Sequence, residues 1–430
     1  MYLTSRSAWL AGVGTLLVLL APRPLTVVTW SAVVMLLIVV DVAAAPSPRG
    51  LEVERSTPRT VRLGEATTTR LTVTSTSRRT TRLLVRDAWP PSAGATGERS
   101  TLTLPPGERR RTRTTLRPTR RGDREADLVT VRSLGPLGLA GRQVSMTAPS
   151  RLRVLPAFVS RRHLPSRLAR LREMDGRSAV MVRGAGTEFD SLREYVIGDD
   201  VRSIDWRSTA RRGDVVVRTW RPERDRRVLI VLDTGRMSAA RVGGAPRLDT
   251  QIETTLLLTA LASHAGDRVD VVAVDERQRA QVRGLSGPAL ISALADALAP
   301  VDAAVTETDW GLVGQVVSRS LSQRALVVVL TGLDGSCVDA VMMRVLAAMA
   351  RDHTVLLASV TDPDLEVLRA TRGDPEAVFT AAAAERDLLE LAVVRERLRR
   401  AGVEVVEAVP AEVAPRVADT YLELKRAGRL

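Results

Sequence analysis

The chain has one cysteine in 430 residues, Cys337, which excludes an internal disulfide and suits a reducing compartment. Aromatic residues make up only 3%, so any core has to be built from Val, Leu and Ala. The three histidines, His163, His264 and His353, are dispersed and lack the spacing of a metal site. Lys425 is the only lysine. No P-loop, no G-x-G-x-x-G after a strand and no G-x-S-x-G elbow occurs. Those absences remove the usual nucleotide-cradling and nucleophilic-elbow chemistries, and the expectation is a protein that is not an enzyme.

What the chain has instead is arginine. Its 63 basic against 49 acidic residues give a net charge of +14. The near-total use of Arg over Lys is a codon-usage signature, which weakens an argument from charge to nucleic acid. Position says more. Residues 50–125 carry 17 Arg against 8 acids (17 − 8 = +9), and residues 151–227 carry 19 against 11 (19 − 11 = +8). Residues 228–430 carry 22 basic groups against 28 acids (22 − 28 = −6). The basic excess therefore lies in the parts nearer the apolar start of the chain, where it suits either solvent or anionic lipid headgroups. No nucleic-acid partner is expected, because aromatics do not interleave a basic groove.

Ala8 to Ala21 and Leu25 to Val40 are apolar runs separated by Pro22-Arg23-Pro24. Each is short of or near the roughly 20 residues of a spanning helix, and together they predict a transmembrane helical hairpin over 1–45. A signal peptide is the competing reading. The Arg-rich stretch that follows predicts an inner (cytoplasmic) membrane protein with its soluble domains on the cytoplasmic side.

Residues 50–155 alternate Thr and Val with polar residues between Gly and Pro breaks, which predicts a β-sandwich. Residues 156–185 read as a helical connector. From Val228, apolar runs at 228–232, 268–274, 325–331, 354–360 and 403–407 alternate with helical stretches at 249–264, 287–298, 310–321, 337–351, 383–400 and 411–427. That pattern predicts a doubly wound, mostly parallel α/β sheet within 186–430.

Two places carry candidate site residues. Asp233 and Asp334 follow strand runs, at the carboxyl edge where open α/β sheets form crevices. With Thr308 they are candidate Mg²⁺ ligands. This is the geometry of a von Willebrand A domain, whose first metal loop reads Asp-x-Ser-x-Ser. Here Gly235 and Met237 stand at the two serine positions. The metal-free alternative keeps Asp233 for loop capping or for a salt bridge to Arg236. The second place is the charged segment 186–227, where Glu188, Arg193, Asp199, Asp200, Arg202, Asp205 and Arg211 predict an ion-pair network. Tyr195 and Trp206 are expected to pack against its Arg planes. Cys337, at a predicted helix start, reads as a structural thiol.

The run from Glu188 to Arg211 resembles the signature of the bacterial "domain of unknown function 58" family, through Glu188, Arg193, Tyr195, Gly198, Asp199, Arg202, Asp205, Trp206, Ala210 and Arg211. Leu248-Asp249, Gly266-Asp267-Arg268 and Tyr421 to Lys425 extend the resemblance. It implies a von Willebrand A-like fold and a partner among MoxR-type AAA+ ATPases, in assembly or maturation of other proteins. It supplies no catalytic residue. The function expected is a membrane-anchored adaptor that docks such an ATPase or a client. The alternative is a metal-dependent hydrolase of envelope metabolism using Asp233 and Asp334.

Overall fold

The computed structural model describes all residues except 78, 182–187, 222–225 and 335–339. Gly186 and Cys337 thus lie outside the described residues. The chain divides into two compact units, Met1–Leu155 and Pro156–Leu430.

The first unit opens with a short strand β1 (Tyr2–Leu3), then helices α1 (Ser5–Leu20) and α2 (Pro24–Ala44). Pro22 and Pro24 end one helix and start the next, since a proline tolerates only a first helical turn. At 1.5 Å per residue, the 16 residues of α1 reach about 24 Å and the 21 of α2 about 32 Å. Among the described residues, α2 is the one helix long and apolar enough to cross a membrane. The hairpin expectation therefore meets two helices, of which only α2 has spanning length. Gly14 of α1 lets the Trp30 ring approach so closely that a Cβ there would collide with it.

Strands β2 (Leu51–Ser56), β3 (Thr60–Arg62), β4 (Thr67–Ser75), β5 (Thr81–Asp87), β6 (Ala95–Thr96), β7 (Arg99–Leu104), β8 (Arg109–Leu116), β9 (Gly122–Leu134) and β10 (Ala140–Leu155) follow. They form a β2-β4-β8-β6 sheet and a β1-β10-β9-β5-β7 sheet, with β3 added to β10. Alternation supplies one apolar face per sheet. Leu51, Leu71 and Val73 of the first sheet meet Leu83, Val85, Leu104, Val129 and Val131 of the second in a shared core. The same unit holds a buried ion pair invisible to pattern reasoning. Arg55 and Asp87 are both buried at 2.8 Å, with Trp89 Nε1 donating to Asp87 at 3.2 Å.

α2 is not loosely tethered to this unit. Asp41, in its last turn, is fully buried and accepts backbone N–H groups from Leu137 (2.7 Å), Leu139 (2.8 Å) and Ala140 (2.8 Å) in the turn between β9 and β10. Arg142 donates to the Val42 carbonyl at 3.0 Å and to that of Ala43 at 3.2 Å, which satisfies carbonyls left open at the helix end.

The second unit begins with α3 (Leu164–Met181) and a two-stranded ribbon, β11 (Glu188–Glu194) with β12 (Val216–Arg221), which flanks α4 (Trp206–Arg212). The sheet domain then runs through β13 (Arg227–Asp233), α5 (Arg236–Ala239), the small ribbon β14 (Arg241–Val242) with β15 (Ala245–Pro246), α6 (Arg247–His264), β16 (Arg268–Val274), β17 (Gln278–Val282), α7 (Gly287–Leu298) and α8 (Trp310–Ser320). It closes with β18 (Leu326–Leu330), α9 (Ala340–Asp352), β19 (Thr354–Val360), α10 (Asp364–Ala370), α11 (Pro375–Arg400), β20 (Val403–Ala408) and α12 (Pro410–Arg426). The sheet order is β17-β16-β13-β18-β19-β20, parallel except for the edge strand β17. Renumbered within the sheet this is 3-2-1-4-5-6, the order of a doubly wound fold whose direction reverses between its first and fourth strands. β13 and β18 flank that reversal.

α12 is fastened by the only lysine. Lys425 Nζ lies 2.6 Å from Asp267 Oδ1, and Tyr421 donates its hydroxyl hydrogen bond to Asp267 Oδ2. The lysine side chain is 9% exposed and the aspartate 1%. Breaking such a pair strands a buried charge. Asp267→Ala is expected to cost about 3–5 kcal/mol. Asp267→Asn combined with Lys425→Met, which removes both charges and keeps an acceptor for Tyr421, should recover most of that loss. Urea unfolding of the detergent-solubilised chain, comparing the three proteins, measures the difference.

Candidate functional site

In the signature segment, β11 and β12 pair antiparallel with a bulge between Phe189 and Ser191, and Glu188 stands opposite Arg221. The chain between them is held by aspartates that serve as backbone clamps. Asp199 accepts the Val196 N–H at 2.9 Å and the Arg193 guanidinium. Gly198 sits at φ +110, a conformation a side chain would resist. Asp200 accepts the Arg202 N–H at 3.0 Å. Asp205 caps α4 through the Ser208 N–H at 2.9 Å and binds Arg218 Nε at 2.8 Å. The Tyr195 N–H donates to the Val215 carbonyl at 2.8 Å, which closes the ribbon.

These bonds decide the chemistry available. The Arg193 hydrogen bond, then that from Val196, holds the Asp199 carboxyl below its usual range. The Ser208 amide, then Arg218, does the same for Asp205. Both are fixed as carboxylates, the opposite of the upward tuning that acid catalysis near neutral pH requires. The expected network thus exists as local pairs, Arg193–Asp199 and Asp205–Arg218. Arg202, Arg207 and Arg211 are exposed and have no acid partner among the described residues. Trp206 departs from the expected packing, because at 67% exposure it projects into solvent. Ile197 is 96% exposed, and Val196 and Val201 are also on the surface.

The second place is the carboxyl edge at the reversal of strand order. Asp233 ends β13 and is buried. Its Oδ1 accepts the Gly235 N–H at 2.8 Å and the Thr308 hydroxyl, and its Oδ2 accepts the Thr331 hydroxyl. Burial pushes the Asp233 carboxyl up, against the pull of these three donors. The adjacent strand β16 is followed by Asp275, also buried. It accepts Thr234 Oγ1 at 2.9 Å and the Arg279 guanidinium. There burial pushes the carboxyl up, but Arg279, Thr234 and the Arg277 amide outweigh it and the group is held low. Asp233, Met237, Thr308, Trp310, Thr331 and Met342 are among the residues lining a shallow recess at this edge.

The residues present do not fit a divalent ion. The structure brings Asp233 and Thr308 together but pairs Asp334 with the buried Arg247 at 3.2 Å, away from the lining of the recess. The Asp233 oxygens already face three donors. Gly235 stands where the metal loop has its first serine, and a Cβ there would run into Thr308 Oγ1. The glycine is what lets Thr308 close over the carboxylate. Loop capping, one half of the metal-free alternative, is the role that Asp233 plays. The other half is corrected, since Arg236 binds Glu307 at 2.9 Å instead. Asp275 was not singled out from sequence. Asp275 follows an apolar strand run as Asp233 does, so the same signal was available for it.

Two outcomes follow. A folded-state pKa raised above the ordinary carboxylate value means that the native state binds the proton more tightly. Stability from Asp233 is therefore fullest below the ordinary value and falls as pH rises towards the folded one. Asp233→Asn should remove that component, so the stability difference between the two proteins should change with pH in that window and flatten above it. Urea midpoints across the acidic to neutral range test this, and a constant difference would contradict it. Gly235→Ser should displace Thr308 and cost on the order of 1–3 kcal/mol, the penalty for an unmade buried hydrogen bond, read in the same assay.

Residues 191–404 match the family model described as "Protein of unknown function DUF58". The "Uncharacterized protein Rv1480" of Mycobacterium tuberculosis and the "Uncharacterized protein Mb1516" of Mycobacterium bovis are each 26% identical over 190 residues, 44% of this chain and 59% of theirs. The chain thus spans 59% of the length of these curated relatives. Among solved structures, the CARDB domain of the PF1109 protein from Pyrococcus furiosus, in complex with di-metal ions, is 16% identical. It covers 24% of this chain and 87% of that one at a TM-score of 0.17. Proximal thread matrix protein 1 from the mussel byssus is 12% identical over 47% of this chain and 46% of that one, with a TM-score of 0.29. The match begins inside the signature ribbon and ends in β20, so residues 191–404 carry the pattern of the DUF58 family.

Proposed function

We propose that the chain is a membrane-anchored adaptor that docks a partner protein, a MoxR-type AAA+ ATPase or a client, through the signature segment. The observation that carries this is the surface made by Val196, Ile197, Val201 and Trp206 beside the exposed Arg202, Arg207 and Arg211. Large apolar groups held in the open by a hydrogen-bonded frame are costly to solvate. A Trp with neighbouring arginines is the composition of interface hot spots. The clamps at Asp199 and Asp205 keep the surface in one shape, which lowers the entropy lost on docking.

The sheet order and the strand-end Asp233 support a von Willebrand A-like reading of the α/β unit, with its metal loop converted to a hydrogen-bonded cap. The length and apolar character of α2 support anchoring, and the Arg-rich sequence after it supports a cytoplasmic position. The hydrolase alternative would need Asp334 beside Asp233, and Asp334 is paired with Arg247 at 3.2 Å.

The test is capture of a purified MoxR-type ATPase by the full chain in detergent. Trp206→Ala with Ile197→Ala should weaken capture at least about thirtyfold, the range of a 2 kcal/mol hot spot, while leaving the unfolding midpoint unchanged. Undiminished capture by this variant would move the docking surface elsewhere. Absence of capture by the parent chain would remove the ATPase as partner.

A further inference from the structure

We infer that the end of the β unit from which α2 emerges is a docking collar for anionic phospholipid headgroups. This deepens the membrane reading of α2 above and rests on it. Three chain segments meet at that end. The Gly50 carbonyl accepts both the N–H (2.9 Å) and the hydroxyl (2.8 Å) of Thr76, and the Ser75 N–H donates to the Glu108 carbonyl at 3.0 Å. Arg49, Arg79 and Arg109 are thereby gathered where the chain leaves α2 for β2. Arg111 stands two residues along the same exposed face of β8. All four are exposed, and none has an acid partner among the described residues. Of the nearby acids, Glu108 is taken by Arg110 at 2.8 Å.

The depth of this cluster is fixed by the Asp41 clamp. With Asp41 sealed against the turn between β9 and β10, α2 leaves the β unit in one direction, and the collar stays beside its polar end. The exposed apolar residues of α2 continue up to Val39 and Val40, immediately before that clamp. A hydrocarbon core of about 30 Å within a bilayer of about 40–45 Å leaves a headgroup layer of roughly 6 Å on each side. Residues placed directly beyond the end of the apolar helix fall in that layer. Phosphodiester oxygens match the guanidinium fork, and the exposed Glu52 and Glu54, one strand beyond Thr74 and Thr72 in register with Arg109 and Arg111, form no ion pair with them among the described residues. Charge complementarity and continuity with the apolar helix both favour a lipid surface over a soluble partner.

The experiment follows the Tm of the full chain in zwitterionic detergent as short-chain phosphatidylglycerol, phosphatidylcholine of equal chain length or inorganic phosphate is added. Phosphatidylglycerol should raise the Tm at low salt and lose its effect at high salt, while phosphatidylcholine and phosphate should do neither. The variant Arg49→Gln/Arg79→Gln/Arg109→Gln/Arg111→Gln should keep its lipid-free Tm and lose affinity roughly fivefold per arginine. If the fourfold variant fails to fold, Arg49→Gln/Arg79→Gln and Arg109→Gln/Arg111→Gln are read separately in the same way. An undiminished phosphatidylglycerol shift in the variants overturns the inference, as does an equal shift from phosphatidylcholine or from phosphate. Retention of the parent chain in carbonate-washed phosphatidylcholine vesicles is measured in parallel. A chain that washes off removes the anchor and the collar together, whereas one that is retained without a phosphatidylglycerol response removes the collar alone.

Discussion

A buried carboxylate has to be met by donors, and the architecture is organised around that requirement. Moving such a group out of water costs several kcal/mol per ion unless hydrogen bonds replace the lost solvent. Asp41 is met by three backbone amides, Asp87 by Arg55 and Trp89, and Asp233 by one amide and two hydroxyls. Asp267 is met by Tyr421 and Lys425, and Asp275 by Thr234 and Arg279. Each set joins segments far apart in sequence, so each fixes a long-range relation that apolar packing alone leaves loose. The cores themselves are made mostly of Val, Leu and Ala. The aspartates supply the geometric specificity.

The same residue type does different work in the two candidate places. In the signature ribbon the aspartates are surface-accessible and act on their own loop, stiffening it while apolar side chains stay outside. At the sheet edge Asp233 is withdrawn and capped, and the loop that would face a cation presents Met237 instead. A fold that elsewhere offers a ligand crevice at the strand reversal has here invested its donors in closure. Exposed apolar side chains lie instead in the signature segment, at Val196, Ile197, Val201 and Trp206.

Much of the α/β unit was legible because its buried strands are short unbroken apolar runs. β16 and β19 coincide with the segments expected, and β13, β18 and β20 differ by a residue or so at their ends. β17 escaped because Gln278 to Val282 is a polar edge strand whose pairing comes from β16, not from its own pattern. α11 was expected to start at 383. The Asp374 cap and Pro375 start it earlier, and its first turns expose Phe379, which hides the helical period. At the site, Asp233 was visible from its place after a strand. Thr308, 75 residues away, was grouped with it as a candidate ligand, but that the Thr308 and Thr331 hydroxyls close over the carboxylate was not legible, since spacing in sequence carries no information about contact across a sheet. The exposure of Trp206 was misread for a related reason. A charge-rich segment suggests a self-contained network, but the acids spend their lone pairs on backbone N–H groups and leave the ring and several arginines unclaimed.

The lone lysine has a consequence for how this molecule meets reagents and modifying enzymes. Acylation needs an unprotonated, accessible amine, and the only side-chain amine here is ion-paired beneath α12. The folded surface is therefore almost inert to amine-directed chemistry despite its strong positive charge. Modification at Lys425 can proceed only when the last helix lifts from α6 and the turn before β16, so the rate of that reaction is a clock for the opening of the C-terminal helix.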